Sequence, residues 1–135
     1  MSLHVIQRSL DVVSLGEALI EFNQTHPQPP TYLQGFGGDT SNAIVAAARA
    51  GARCAYLTLL GDDRWADALT RLWLEEGVAL DGVRRIRGQR TGLYFVHHDD
   101  QGHHFSYARA GSAASRMAPP DLKGGWLNLI AQSHW

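Results

Sequence analysis

Gly35-Phe36-Gly37-Gly38-Asp39-Thr40-Ser41-Asn42 runs straight into the alanine-rich segment 43–51 of this chain. Glycine leaves the backbone open to close approach by a ligand, and it adopts positive φ without penalty. The first turn of a helix presents N–H groups without partners, and Asp39, Thr40 or Ser41 is expected to cap it. The stretch therefore predicts a glycine turn that opens a helix over about residues 40–50, a place suited to a polyhydroxylated ligand.

Strand and helix patterns alternate on either side of this turn. Residues 10–16 and 53–60 form apolar runs that predict buried strands. Next, Trp65, Leu69, Leu72 and Trp73 recur at helical spacing and predict an amphipathic helix, with Asp62 or Asp63 as the expected cap and Gly77 at the end. This order predicts a parallel sheet covered by helices.

Other segments predict strands outside this layer. Residues 91–96 and 105–109 flank the turn at 99–102 and read as a β-hairpin. Residues 18–22 continue as an extended piece and residues 32–34 as a short return strand. The prolines at positions 27, 29 and 30 are expected to break regular structure between them.

Composition excludes several classes of function. The net charge of −1 over 135 residues provides no overall field that would attract nucleic acid or an anionic membrane. The single cysteine, Cys54, rules out an internal disulfide and lies in an apolar run, so we expect a buried thiol. We find neither an apolar segment long enough to span a membrane nor a signal-peptide core. A cytoplasmic protein is expected, of one domain or a piece of a larger one.

The glycine turn has two other interpretations. A dinucleotide-binding fingerprint would need a third glycine where Thr40 stands, and Asp39 would repel a phosphate placed there. That interpretation is disfavoured. A plain capped turn without a ligand remains an alternative.

Histidines near the hairpin turn suggest a metal site. His97-His98 and His103-His104 flank the turn, so pairs could face each other across the strands. Zinc sites usually also recruit cysteine or carboxylate ligands in a closed tetrahedral set, and the tip offers only Asp99 and Asp100. We therefore favour solvated hairpin residues, with a zinc-binding hairpin as a lesser alternative.

Tyr94, Tyr107 and Arg109 form a more informative group. Tyr107 and Arg109 share one face of a strand, and Tyr94 on the partner strand shares it if the register permits. Arginine binds a carboxylate bidentately, and tyrosine adds a flat surface and a hydroxyl. Glu17 follows the first strand, where open α/β sheets bind ligands, and can accept hydrogen bonds from sugar hydroxyls. The alternatives are a hairpin that packs on its own body and a surface carboxylate.

Together these segments resemble the N-terminal part of the ribokinase-like, phosphofructokinase B-type carbohydrate kinases, and within them the 2-keto-3-deoxygluconate kinases. The match covers roughly residues 10–122. The motifs that carry it are Gly16-Glu17-Ala18-Leu19-Ile20-Glu21, the glycine turn at 35–42, Leu60-Gly61-Asp62-Asp63, Glu76-Gly77-Val78, Thr91-Gly92-Leu93-Tyr94 and Tyr107-Ala108-Arg109-Ala110-Gly111-Ser112-Ala113-Ala114.

The resemblance implies an α/β fold, a ribokinase-like Rossmann-type sheet with a small β-sheet lid, here truncated to its N-terminal half. Residues 1–122 would be the N-terminal part of the kinase domain. The lid pieces would lie at about 18–22, 32–36, 91–97 and 103–109, and residues 123–135 would form a divergent tail.

The resemblance also implies ATP-dependent phosphorylation of a sugar acid, 2-keto-3-deoxygluconate, with this chain supplying the sugar-binding half and the lid. Full-length members use ATP and Mg, but their catalytic base and nucleotide site lie in the C-terminal half. We therefore expect no catalytic, cofactor-binding or metal-binding residue in this chain and no activity from it alone. The expected substrate-binding residues are Glu17, Gly37, Gly38, Asp39, Asn42, Tyr94, Tyr107 and Arg109.

Within that set the resemblance implies separate roles. The residues of the glycine turn and helix start would hold sugar hydroxyls, the two tyrosines would flank the sugar, and Arg109 would bind its carboxylate. We expect a homo-oligomer through the lid or an exposed sheet edge, with no nucleic-acid or membrane partner. The alternative is a non-catalytic sugar-binding or dimerisation fragment of such a kinase.

Overall fold

A computed structural model describes residues 10–122 of the chain. Its centre is a parallel sheet of three strands, β1 (Val12–Leu15), β4 (Cys54–Gly61) and β5 (Val83–Ile86), in the order β1-β4-β5. Every residue of β4 is buried, which explains why its sequence is an almost continuous apolar run. The predicted parallel sheet is confirmed.

The strand β5 was not expected from the sequence. Its four residues read Val-Arg-Arg-Ile, and the two arginines in the middle are exposed while the ends are half-buried. The short length and the two charges leave no strand pattern in the sequence. The strand forms because it pairs with β4, at Thr58↔Val83 and Gly61↔Ile86.

Two helices pack on this sheet, α1 (Asp39–Arg49) and α2 (Arg64–Glu75). Both are followed by a glycine at positive φ, Gly51 and Gly77, as the sequence predicts. Asp63 caps α2 by accepting a hydrogen bond from the Ala66 N–H at 2.9 Å.

The expected side-chain cap of α1 is wrong. The cap residue is Gly38, at φ +97°, and no side chain caps the helix. A Cβ atom at Gly38 would lie 2.5 Å from the carbonyl oxygen of Glu17, so only glycine fits where the turn passes this loop. The side chains of Thr40 and Ser41 instead bond to Tyr56 and Trp73, which lie beneath the helix.

The core between sheet and helices is built around two large aromatic side chains. Trp73 of α2 and Tyr56 of β4 are fully buried and pack edge to face at 4.9 Å. The Trp73 indole N–H donates to Ser41 Oγ at 2.9 Å, which ties α2 to α1. Both helices thus hold fixed positions on the sheet, including the first turn of α1.

A second sheet of four strands lies outside this layer, in the order β3-β2-β6-β7. Its strands are β2 (Leu19–Pro27), β3 (Pro30–Gly37), β6 (Gly92–Asp99) and β7 (Gly102–Ala108). The predicted hairpin is β6–β7, and β2 pairs in parallel with β6. We call this sheet the lid sheet.

The prolines were expected to break regular structure, and this prediction is wrong. Strand β2 runs to Pro27 and β3 starts at Pro30, so the proline-rich segment is the turn of a hairpin that extends both strands. Proline is tolerated there because the ends of a hairpin need few ladder N–H groups.

Short 3-10 turns at Ala114–Arg116 and Pro119–Asp121 complete the described chain. None of the helices in residues 10–122 has the length and apolar character needed to cross a membrane. The predicted tail at 123–135 lies outside the described residues, and the boundary of the kinase-like part at residue 122 stays a prediction.

Candidate functional site

A cleft of about 420 Å³ lies between the start of α1 and one face of the lid sheet. Every predicted substrate-binding residue except Gly37 lines it. The lining residues are Glu17, Leu19, Gly38, Asp39, Thr40, Asn42, Tyr94, Phe105, Tyr107 and Arg109. The fold thus brings together side chains that are up to 92 positions apart in the sequence (Glu17 to Arg109).

Gly37 contributes space rather than a wall. It is buried at the end of β3, and a Cβ atom built on it would overlap the ring and hydroxyl of Tyr94. The Tyr94 ring starts on β6 and reaches across β2 to lie above Gly37. The two consecutive glycines, Gly37 and Gly38, therefore have different purposes: the first makes room for a ring and the second for a turn.

The register of the hairpin places both tyrosines on one face, the condition that the sequence left open. Tyr94 is the direct cross-strand partner of Tyr107, and their rings stack with centroids 5.9 Å apart. Phe105 adds a third ring, 6.4 Å from each of the two. The cleft wall formed by the lid is thus a continuous aromatic surface, of the kind that packs against the apolar face of a sugar ring.

Arg109 continues this wall toward the loop after β7. Its guanidinium carbon lies 4.5 Å from the centroid of the Tyr107 ring. Within residues 10–122 the nearest carboxylate oxygen to its guanidinium, Glu17 Oε1, is 4.0 Å away, and about half of the arginine side chain is exposed. At that distance the contact is a loose ion pair, so the guanidinium N–H groups remain able to bind an anion in the cleft.

Glu17 is held in place by a residue that the sequence analysis did not assign to the site. Ser112 is buried, and its hydroxyl donates to Glu17 Oε2 at 2.6 Å. The Ser112 N–H in turn donates to the carbonyl oxygen of Arg109 at 3.0 Å. This turn therefore fixes Glu17 and the backbone of Arg109 relative to each other.

Asp39 and Asn42 lie on the first turn of α1 and are exposed at the cleft. The carboxylate of Asp39 can accept hydrogen bonds from vicinal hydroxyls, and the amide of Asn42 can both accept and donate them. Asn42 is tied to the glycine turn, since its N–H donates to the Gly38 carbonyl oxygen at 2.9 Å.

Sequence reasoning missed three lining residues, Leu19, Thr40 and Phe105, and two residues behind them, Glu21 and Ser112. Thr40 was considered only as a cap. For Leu19 and Glu21 the signal was present in the alternation of β2, which places them on the same face. For Ser112 no local signal exists, because its contact with Glu17 spans 95 residues.

The histidines of the hairpin form two separate pairs rather than one cluster. His97 is the partner of His104, and His98 is the partner of His103, on opposite faces of the strands. The Nδ1 atoms of His98 and His103 are 3.4 Å apart, whereas His104 contacts Asp99 at 2.7 Å. Among residues 10–122 no group of three or more potential metal ligands lies together, so nothing there supports the zinc alternative.

A comparison with family models matches residues 9–126 to the pfkB family of carbohydrate kinases. The chain belongs to this family. Since the match contains the whole described structure, the cleft lies within the pfkB kinase region.

The similar proteins are named for two kinds of kinase. The chain is 36% identical to 2-dehydro-3-deoxygluconokinase from Thermoproteus tenax, over 93% of this chain and 41% of that protein. It is 34% identical to fructokinase-2 from Solanum habrochaites, over 88% of this chain and 37% of that protein. The chain thus spans about two fifths of the length of these relatives.

A solved structure of the family has the same fold in this region. The crystal structure of fructokinase with bound ATP from Xylella fastidiosa superposes with a TM-score of 0.77 at 33% identity. The overlap covers 83% of this chain and 34% of the fructokinase chain. The expected ribokinase-like α/β fold is confirmed for this part of the family domain.

Proposed function

We propose that this chain carries the sugar-binding part of an ATP-dependent kinase for a sugar acid, 2-keto-3-deoxygluconate. This compound is the 2-dehydro-3-deoxygluconate named in the relative from Thermoproteus tenax. The reaction would transfer the γ-phosphoryl group of ATP to the terminal hydroxyl of the sugar acid. The bound ATP described for the fructokinase from Xylella fastidiosa supports ATP as donor.

The observation that carries the proposal is the position of Arg109. Its guanidinium lies at the cleft, stacked on Tyr107 and in only loose contact with Glu17. A planar guanidinium with free N–H groups matches a carboxylate bidentately. A neutral hexose offers no such group, so an acidic sugar makes better use of this side chain.

The remaining cleft residues suit the rest of the ligand. Asp39 and Asn42 lie on the first turn of α1, where they can hold hydroxyls. The rings of Tyr94 and Tyr107 cover one side. A sheet that closes over an acceptor also excludes water, which would otherwise compete for the phosphoryl group.

We assign no residue of this chain to ATP or Mg²⁺. In residues 10–122 the acidic side chains that line the cleft are Glu17 and Asp39, and they form no group of three potential metal ligands. Transfer itself depends on positioning and charge stabilisation, to which this chain contributes the acceptor side.

The test is calorimetric titration of the 135-residue chain with 2-keto-3-deoxygluconate and with fructose. We expect the sugar acid to bind more tightly, and Arg109→Ala to weaken its binding by roughly 10- to 100-fold, since a hydrogen bond to a charged group contributes about 1.5–3 kcal/mol. Arg71→Ala, which removes an exposed arginine from α2, is the matched control and should bind as the unmodified chain does. Equal affinity of unmodified chain and Arg109→Ala would contradict the proposal.

Fructose is the second candidate substrate, because fructokinases are also among the similar proteins. Tighter binding of fructose in the same titration, with little effect of Arg109→Ala, would favour it. A third candidate is a sugar-binding or dimerisation module without transfer activity. An ADP-release assay on the 135-residue chain is expected to show no sugar-dependent release under either candidate, and such release would overturn the expectation that this chain alone is inactive. Titration with 2-keto-3-deoxygluconate separates sugar binding from the absence of binding.

A further inference from the structure

Glu21 lies beside Tyr94 on the same face of the lid sheet, but it does not line the cleft. Its side chain contacts Tyr94, which the proposed site uses. Glu21 of β2 is the register partner of Tyr94 of β6. The Tyr94 hydroxyl donates a hydrogen bond to Glu21 Oε2. On the other side Glu21 pairs with Gly35 of β3, so no side chain from that strand competes for the carboxylate.

The position of the Tyr94 ring depends on few other contacts. It lies diagonally across β2, in the space that the absent side chain of Gly37 leaves open. Tyr107 and Phe105 support the ring from the side of β7. The hydroxyl end is fixed only by Glu21 among the described residues, so the direction of the ring is set by that hydrogen bond.

The contact continues along the cleft wall to the cation. Glu21 accepts a hydrogen bond from Tyr94, and the Tyr94 ring stacks on Tyr107. The guanidinium carbon of Arg109 in turn lies 4.5 Å from the centroid of the Tyr107 ring. Three strands, β2, β6 and β7, are linked in this way. The carboxylate of Glu21 and the cation of Arg109 stand at opposite ends of the series.

We propose that Glu21 is a positioning residue that makes Tyr94 a hydrogen-bond acceptor for a ligand hydroxyl and directs the ligand carboxylate toward Arg109. Because the phenol proton is donated to Glu21, only the lone pairs of the Tyr94 oxygen remain for a ligand. A ligand O–H can bind there, whereas a ligand carboxylate, itself only an acceptor, cannot.

The charges around Tyr94 act in the same direction. Burial, the hydrogen bond to Glu21 and the negative charges of Glu21 and Asp39 all raise the pKa of Tyr94 above its ordinary value. The field that keeps this phenol neutral also repels a carboxylate placed beside it. The acidic end of the sugar therefore faces Arg109 and the hydroxylated end faces Tyr94.

The inference rests on the proposed function for the identity of the ligand, so its first test uses no ligand. Tyrosine ionisation is followed by ultraviolet absorbance for the unmodified chain, Glu21→Gln and Glu21→Ala, and the signal of Tyr94 is obtained by difference from the Tyr94→Phe forms. We expect both substitutions at Glu21 to move the ionisation of Tyr94 toward the ordinary tyrosine value. Glu75→Gln, on the exposed end of α2, should leave it unchanged. An unshifted Tyr94 in Glu21→Gln and Glu21→Ala would overturn the proposal.

The second test is titration of the same variants with 2-keto-3-deoxygluconate. We expect about 10-fold weaker binding for Glu21→Ala and partial rescue in Glu21→Gln, because the amide oxygen still accepts from the phenol. Circular dichroism and the midpoint of thermal unfolding check that each variant is folded. Unweakened binding by a folded Glu21→Ala would refute the positioning role. If the unmodified chain binds no sugar acid, the proposed function fails, while the tyrosine titration still decides on Glu21.

Discussion

The buried hydroxyl of Tyr56 stays protonated in the folded chain at a pH where it would ionise in the unfolded chain, and this makes stability depend on pH. Tyr56 is fully buried in β4 and contacts Thr40 Oγ1 through its hydroxyl at 2.8 Å. Burial raises its pKa to about 12, against about 10 in an unfolded chain. Above pH 10 the unfolded chain therefore loses a proton that the folded chain retains, and stability falls as the pH rises.

We expect the free energy of unfolding to fall by up to about 1.4 kcal/mol for each pH unit between 10 and 12 for Tyr56 alone. Urea unfolding at pH 9, 10 and 11 measures this slope. In Tyr56→Phe the slope should decrease by about that amount, and Tyr32→Phe, which changes an exposed tyrosine, is the control. A slope that is the same in the chain and in Tyr56→Phe would contradict the assignment.

Individual residues also show where sequence reasoning succeeds. The spacing of Tyr107 and Arg109 predicts that they lie close together, and the guanidinium of Arg109 lies over the Tyr107 ring although Arg109 follows the end of β7. The partner of Glu17 could not be predicted, since Ser112 lies 95 residues away in the sequence. Contacts between segments so far apart depend on how the whole domain folds, which local patterns do not specify.

Elements are tied together by Asp63 in a manner that the sequence shows only in part. Both Asp62 and Asp63 are plausible caps, and the structure selects Asp63. Its carboxylate caps α2 and also accepts from the N–H and hydroxyl of Thr91 at 2.8 Å each. Thr91 lies directly before β6, so one carboxylate connects a helix of the main layer with the residue that leads into the lid hairpin.

We therefore expect Asp63→Ala to destabilise the chain by about 2–3 kcal/mol, from loss of the cap and from the buried Thr91 N–H left without its partner. Asp62→Ala is the matched control: it removes a neighbouring carboxylate whose ion pair with Arg85, at 3.6 Å, lies on the surface, and should change stability by less than about 1 kcal/mol. Chemical denaturation measures both. A similar effect of the two substitutions would argue against a special role for Asp63.

The helices and the buried strands were predictable because their apolar spacing is strong and glycine marks their ends. The cap of α1 and the strand β5 were not. Gly38 replaces a polar cap because the backbone of Glu17 leaves no space for a side chain. β5 forms because β4 offers a partner edge, which overrides the weak propensity of two adjacent arginines.

At the scale of the whole molecule, apolar side chains remain uncovered on the lid sheet. Leu33, Phe105 and Tyr107 share the face that carries the cleft, and they are 67%, 54% and 55% exposed. The edges of both sheets are also open within residues 10–122, at β1 and β5 and at β3 and β7. Open edges and apolar patches favour association between chains.

We expect the 135-residue chain to form oligomers through the lid sheet, measured by size-exclusion chromatography with light scattering. Leu33→Glu should shift the population toward monomer. Leu74→Glu is the matched control, because Leu74 is the same residue type at 62% exposure but lies on α2. A monomeric unmodified chain, or equal effects of the two substitutions, would exclude the lid as the contact.

The space above Gly37 also constrains evolution, because it favours one order in which Tyr94 and Gly37 can be substituted. While Tyr94 covers that space, an alanine at Gly37 would displace the ring and cost it the hydrogen bond to Glu21, so substitution of the glycine is disfavoured. Once a smaller side chain has replaced the tyrosine, the glycine becomes free to vary. Lineages that abandon the aromatic wall would therefore lose Tyr94 first and Gly37 second, and a return would require the reverse sequence of steps.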